Sequence, residues 1–178
     1  QAYKAAEELG IRGYFSFVHL DGFNQDKADR DFAEFEKEYQ ESFGWEHPER
    51  FSVAIHADYT NSEKTICRAA GFAHEHNLMI NLHASETEAE VKGDIEKYGM
   101  TPIERFDKLG VLGPDTVVAH GLWLTENDIS ILGEKKVSVA HNINSNLKLS
   151  SGYKFYYNEL RDAGANVCLG TDGPASNN

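Results

Sequence analysis

The chain has 178 residues, 40% of them hydrophobic and 26% charged, the balance of an ordinary globular domain with a sizeable core rather than of a disordered or fibrous chain. Seventeen Lys and Arg against 29 Asp and Glu leave a formal net charge of −12, which argues against a nucleic-acid phosphate backbone as partner. No apolar run approaches the roughly 20 residues that cross a bilayer, and two cysteines make neither a disulfide framework nor a paired-cysteine zinc site, so a reducing cytoplasm is the expected setting.

The opening QAYKAAEELG lacks the charged-then-apolar pattern of a signal peptide. Six short apolar runs then read as strands: GYFSFV (13–18), FSVAI (51–55), LMINL (78–82), TVVA (116–119), VSVA (137–140) and NVCLG (166–170). Cys168, inside the last run, is expected to be small and buried. The first connection, 21–50, is the longest and is predicted to hold a helix near 28–43 with a solvated charged face. Four pairs carry the spacing of a hydroxyl cap and a returning carboxylate, namely Thr60 with Glu63, Thr87 with Glu90, Thr101 with Glu104 and Thr125 with Asp128. Pro102 suits a first helical turn, while Gly110 and Gly164 suit helix ends. After Thr60, Ile66, Ala69, Ala70 and Ala73 fall on one helix face. Strand, loop and amphipathic helix thus alternate, which predicts a parallel sheet covered on its outer face. The lack of an initiator Met, and of a helix after the last run, reads as a segment of a longer chain.

His56, His83, His120, His141 and Asp172 each follow a predicted strand, at intervals of 27, 37, 21 and 31 residues, about one strand-helix unit apiece. In a parallel barrel those strand ends converge on the face that carries active sites. A single such histidine is ordinarily a hydrogen-bonded strand-edge residue; five in equivalent places point to chemistry. Histidine and carboxylate without nearby thiolate suit zinc or iron with an open position for water. Glu86, three residues past His83 at a helix start, reaches the mouth of such a site as a proton carrier, although a carboxylate there also suits the helix N-terminus. His47, His74 and His76 read as solvated, His19 as a weaker site candidate, and Trp123 as core packing more than pocket wall.

HADYTNS, NLHASETEAEV, VVAHGLWLTENDI, VSVAHNINSNLKLSSG and NVCLGTDGPASNN, in this order and spacing, strongly resemble the amidohydrolase superfamily. The nearest group is the 5-methylthioadenosine/S-adenosylhomocysteine deaminases and related chlorohydrolases. The resemblance implies an α/β fold, a metal-dependent (β/α)8 TIM-type barrel, of which residues 1–178 would supply about strands three to eight. The first two strands, a His-x-His metal pair and a small β domain would lie outside it, because the His74 and His76 pair sits in a predicted helix. It further implies that His83 binds the metal and that Glu86 contacts the heterocycle and protonates a ring nitrogen. His120 would orient the attacking hydroxide, and Asp172 would be both final metal ligand and base. His56 would contact substrate, with His141 and Asn142 lining the pocket. Asp58 stands where the family usually has proline, which is expected to alter substrate contacts beside His56, and Ile143 replaces another proline.

The implied activity is hydrolytic removal of an amino group from a purine-type small molecule such as S-adenosylhomocysteine, 5-methylthioadenosine or adenosine, with one divalent metal, zinc or else iron. Release of chloride from a triazine, or amide hydrolysis, uses the same site. A non-catalytic βα fragment with structural histidines is the third alternative, and the segment alone is expected to be inactive. Homo-oligomers are what the family resemblance implies.

Overall fold

The computed structural model describes residues 2–176. A short helix, α1 (Ala2–Glu8), leads into strand β1 (Phe15–His19) and the long helix α2 (Gln25–Ser42). Strand β2 (Phe51–Ile55), helix α3 (Glu63–His76) and strand β3 (Met79–Ala84) follow. Next come helices α4 (Glu88–Tyr98) and α5 (Pro102–Lys108), then β4 (Thr116–His120), α6 (Glu126–Glu134) and β5 (Ser138–His141). Helices α7 (Ile143–Lys148) and α8 (Tyr157–Ala163) precede β6 (Asn166–Leu169). The six strands form one sheet in chain order, every neighbouring pair parallel, with Val53 beside Ile80 and Leu82 beside Val118. This is the expected series of βα units.

Helices α2 to α6 start where a side chain can accept a free amide. Thr87, Thr101 and Thr125 all form reciprocal capping boxes, with Glu90, Glu104 and Asp128 as partners. The expected cap at Thr60 is corrected: Ser62 caps α3, and Thr60 ends a one-turn 3-10 helix, Asp58–Thr60. Asp21 explains the shift, because its buried carboxylate accepts the Ser62 amide at 3.1 Å and hydroxyl at 2.6 Å and so fixes Ser62 at the helix mouth. In α2, Asn24 caps the Lys27 amide at 2.9 Å, and the buried face carries Ala28, Phe32 and Phe35 while charges face outward.

The core lies between the sheet and these helices, where Phe35, Phe51, Ile66, Ile80, Phe106, Leu132 and Leu160 are almost wholly buried. The small stripe Ile66, Ala69, Ala70 and Ala73 lets α3 approach the sheet closely. Gly133 does the same for α6 against α8, since a Cβ there would lie 2.3 Å from the Ala163 carbonyl oxygen. Strand β2 is buried along its length, whereas β6 is an edge on which Asn166, Cys168 and Leu169 are exposed. Cys168 is therefore exposed rather than buried, because no further strand among the described residues pairs with β6. No helix is long and apolar enough to cross a membrane among the described residues.

Candidate active site at the strand ends

The ends of β2, β3 and β4 place three imidazoles in a row. His56 and His83 have ring centroids 5.2 Å apart, and His83 and His120 are 5.6 Å apart. His83 Nδ1 lies 2.7 Å from the His56 carbonyl oxygen, which can only accept, so Nδ1 carries the proton and Nε2 keeps its lone pair. At His56, Nδ1 meets Thr60 Oγ1 at 3.0 Å. The Thr60 hydroxyl donates to the Ala57 carbonyl at 3.0 Å, so it receives the His56 proton, and Nε2 is again the free acceptor. Burial, then the neighbouring His83, lowers the His56 pKa against the opposing charge of Glu86. That imidazole stays neutral in neutral solution.

Glu86 follows β3 on a turn held by its own chain. The Glu90 carboxylate accepts the amides of Ser85 at 2.7 Å, Glu86 at 2.8 Å and Thr87 at 3.3 Å. Burial pushes Glu90 up to about 7, against these three amides, which favour the charge. The Ser85 carbonyl in turn accepts the amides of Leu122 at 2.9 Å and Trp123 at 3.0 Å, tying the turn to the end of β4. Glu86 Oε1 accepts the Ser151 hydroxyl at 3.1 Å, and Oε2 lies 3.6 Å from His120 Nε2.

His120 is buried, and its Nδ1 lies 2.8 Å from Asn146 Oδ1 on α7. Asn146 Nδ2 lies 3.4 Å from His141 Nδ1, and the His141 ring stacks on Phe155 with centroids 4.0 Å apart. Burial, then His120, lowers the His141 pKa. Asp172, beyond β6, accepts the Ser145 hydroxyl at 2.5 Å and the Gly173 amide at 2.6 Å. Burial alone would raise the Asp172 pKa, but these bonds, with Ser176 and His120, bring it below the usual carboxylate value. Asn142 is buried at the start of α7, its side-chain oxygen set against Gly170, where an added Cβ would come within 2.0 Å of it. Ser85, His120 and Asp172 all hold positive φ, at 53°, 75° and 63°, a backbone strain that clusters at functional sites.

The donor chemistry suits a metal at His83, whose Nδ1 is fixed by a carbonyl so that Nε2 is the donor atom, and at Asp172, whose surroundings favour the charged carboxylate. No group of three His, Cys, Asp or Glu side chains able to hold a metal is found among the described residues.

Other residues singled out in the sequence lie elsewhere. His19 turns away from the row into the core, between Phe32 and Phe35 at 5.4 and 4.8 Å, and burial lowers its pKa to about 4. His47 pairs with Glu49 at 3.0 Å, and exposed His74 with the Gly110 carbonyl at 2.8 Å. His76 is half-buried rather than solvated, since its ring packs on Phe72 at 4.3 Å. Trp123 lies at the rim and not in the core: it is 37% exposed, and its indole donates to the Ser151 carbonyl at 2.7 Å. Asp58 does not bear on the pocket beside His56. It is fully buried against Arg105, 3.2 Å away, and next to Asp94, which burial and then Asp58 push up to about 8.

Ser145, Asn146 and Ser151 were not anticipated. In NINSNLKLSSG they look like surface polar residues; only adjacent burial of Ser145 and Asn146 in a six-residue helix, seen in the fold, marks them out.

A parallel sheet with this row of groups at its strand ends is a partial TIM-type barrel. The amidohydrolase family matches residues 1–178, and the chain belongs to that family. It is 44% identical over 177 residues to a 5-methylthioadenosine/S-adenosylhomocysteine deaminase of Thermococcus sibiricus, covering 98% of this chain and 41% of that protein. A 5'-deoxyadenosine deaminase of Methanopyrus kandleri is 39% identical over 175 residues, covering 98% and 40%. The crystal structure of an adenosine deaminase from Xanthomonas campestris with bound zinc matches with a TM-score of 0.86 at 30% identity, over 99% of this chain and 40% of that one. The chain spans about two fifths of the length of the curated relatives it matches.

Proposed function

We propose that the whole protein is a metal-dependent hydrolase that removes the amino group of an adenosine-type small molecule, a 5'-thioether or 5'-deoxy nucleoside, in the cytoplasm. The observation that carries this reading is the Glu86 carboxylate 3.6 Å from His120 Nε2, beside His83, at adjoining strand ends. The similarity to deaminases over nearly the whole chain supports it. Residues 1–178 supply part of the barrel, and further metal ligands come from outside them.

His83 through Nε2 and Asp172 through its carboxylate would hold a divalent metal, zinc or iron, and the bound cation supplies Lewis acidity that ionises water near neutral pH. His120 orients the attacking water at the amino-bearing carbon, and Asp172 takes its proton. Glu86 delivers a proton to the adjacent ring nitrogen, the proton taken by Asp172 passes to the amino group, and ammonia leaves as the carbon–nitrogen bond breaks, while the added hydroxyl returns its proton to Glu86 and becomes the carbonyl. His56 offers Nε2 as an acceptor for a donor group of the substrate.

The test is elemental analysis of the full-length protein together with ammonia release from 5-methylthioadenosine, S-adenosylhomocysteine, 5'-deoxyadenosine, adenosine and guanine. About one zinc or iron per chain, with ammonia from an adenosine-type member of the panel, is the expected result. A metal-free protein, or one releasing ammonia from none of them, contradicts the reading.

A further inference from the structure

Asn146 stands between two of the site's imidazoles with one amide. Its oxygen faces His120 Nδ1 at 2.8 Å and its nitrogen faces His141 Nδ1 at 3.4 Å, and Asn146 itself is 1% exposed. An amide oxygen only accepts and an amide nitrogen only donates, so the two facing ring nitrogens must be in opposite states. We infer that Asn146 is a positioning residue that locks His120 and His141 in opposite tautomers. His120 then carries its proton on Nδ1 and keeps a lone pair on Nε2, while His141 keeps the lone pair on Nδ1 and carries its proton on Nε2.

The consequence for the site is a division of labour. His120 Nε2, opposite Glu86, receives a proton or accepts from water. His141, whose ring stacks on Phe155, carries its donor on Nε2 and borders a cavity that Tyr153, Phe155 and Cys168 also line. His56 and His83 share the His120 tautomer, each through its own bond at Nδ1, which leaves His141 as the one of these four imidazoles with its donor on Nε2. The partner of a donor at that place is an acceptor atom of the substrate, such as a ring nitrogen or an ether or hydroxyl oxygen. This inference rests on the proposed deaminase reading for its catalytic consequence, but not for the tautomers themselves.

The experiment uses the full-length protein with 15N-labelled histidine, stripped of metal, and reads each ring by long-range proton–nitrogen correlation, with His120→Gln and His141→Gln assigning the signals. The expected spectrum has His120 protonated at Nδ1 and His141 at Nε2, and Asn146→Leu loses both preferences. Asn146→Asp, whose two oxygens both accept, holds His120 as in the wild type and moves the His141 proton to Nδ1. In the metal-loaded enzyme, Asn146→Leu is expected to lower kcat by about 10- to 100-fold with metal content unchanged. Asn146→Asp restores most of kcat but keeps a raised KM. The inference is overturned if the wild-type rings share one tautomer or show the reverse assignment, or if Asn146→Leu keeps kcat within twofold. Failure of the wild type to release ammonia would sink the deaminase reading, while the spectrum still decides the tautomers.

Discussion

The two sides of the site are built by different means. At the ends of β2 and β3 the main chain itself is tied down: the His56 carbonyl faces His83 Nδ1, the Ser85, Glu86 and Thr87 amides donate to Glu90, and the Ser85 carbonyl accepts the Leu122 and Trp123 amides. Across the site, at the ends of β4, β5 and β6, side chains of α7 hold side chains, with Ser145 on Asp172 and Asn146 on His120 and His141. The first side backs onto a fully buried strand and the second onto an exposed edge. Main-chain fastening ties geometry to folding, so faults on the first side should cost stability. Side-chain fastening can be removed singly, so faults on the second should cost activity.

The sharpest break of the first side is Arg105→Met, which leaves the buried Asp58 carboxylate without its counter-charge. Stability to urea should fall by about 3–5 kcal/mol; a loss below about 1 kcal/mol would show that the pair is screened. His19, at the end of the neighbouring β1, gives a pH signature. Its folded pKa of about 4 lies below the ordinary 6.5, so the unfolded state binds the extra proton between those values. Stability is therefore full above about 6.5 and falls by about 3 kcal/mol as pH drops through 4. Urea titrations of wild type and His19→Leu across that window should diverge toward wild-type weakness in acid; parallel curves would place the titration elsewhere.

Glu90→Ala removes the acceptor of three turn amides and should cost about 2 kcal/mol together with much of the activity, because Glu86 rides on that turn. Hydrogen exchange at Ser85–Thr87 measures the loosening directly. On the other side, Ser145→Ala removes one hydrogen bond to Asp172 and should cost no more than about 1 kcal/mol in stability while lowering kcat roughly 10-fold. Equal losses of stability from Ser145→Ala and Glu90→Ala would erase the distinction between the two sides.

The same division explains what could be read from sequence. All six strands fall within two residues of their expected starts, and three of four capping boxes are as expected, because periodicity and cap spacing are local. Thr60 failed as a cap because the deciding partner of Ser62, Asp21, lies 41 residues away. Cys168 was misjudged because apolar character marks a strand but not whether the strand is an edge. His56, His83, His120, His141 and Asp172 were visible as a register of strand ends. Their orienting partners on α7 were not, since a buried polar residue and a solvated one look alike until the helix is docked. Asp58 shows the converse, a charge beside a site residue whose partner, Arg105, belongs to a distant helix.

The most direct test of the central claim is turnover of 5-methylthioadenosine and 5'-deoxyadenosine by full-length Glu86→Gln beside the wild type, with metal content measured in both. Wild-type ammonia release, with a loss of about 10²-fold or more in Glu86→Gln at unchanged metal content, is the predicted result. Equal turnover by the two proteins would contradict the account, because the proton carrier at the end of β3 would then carry nothing.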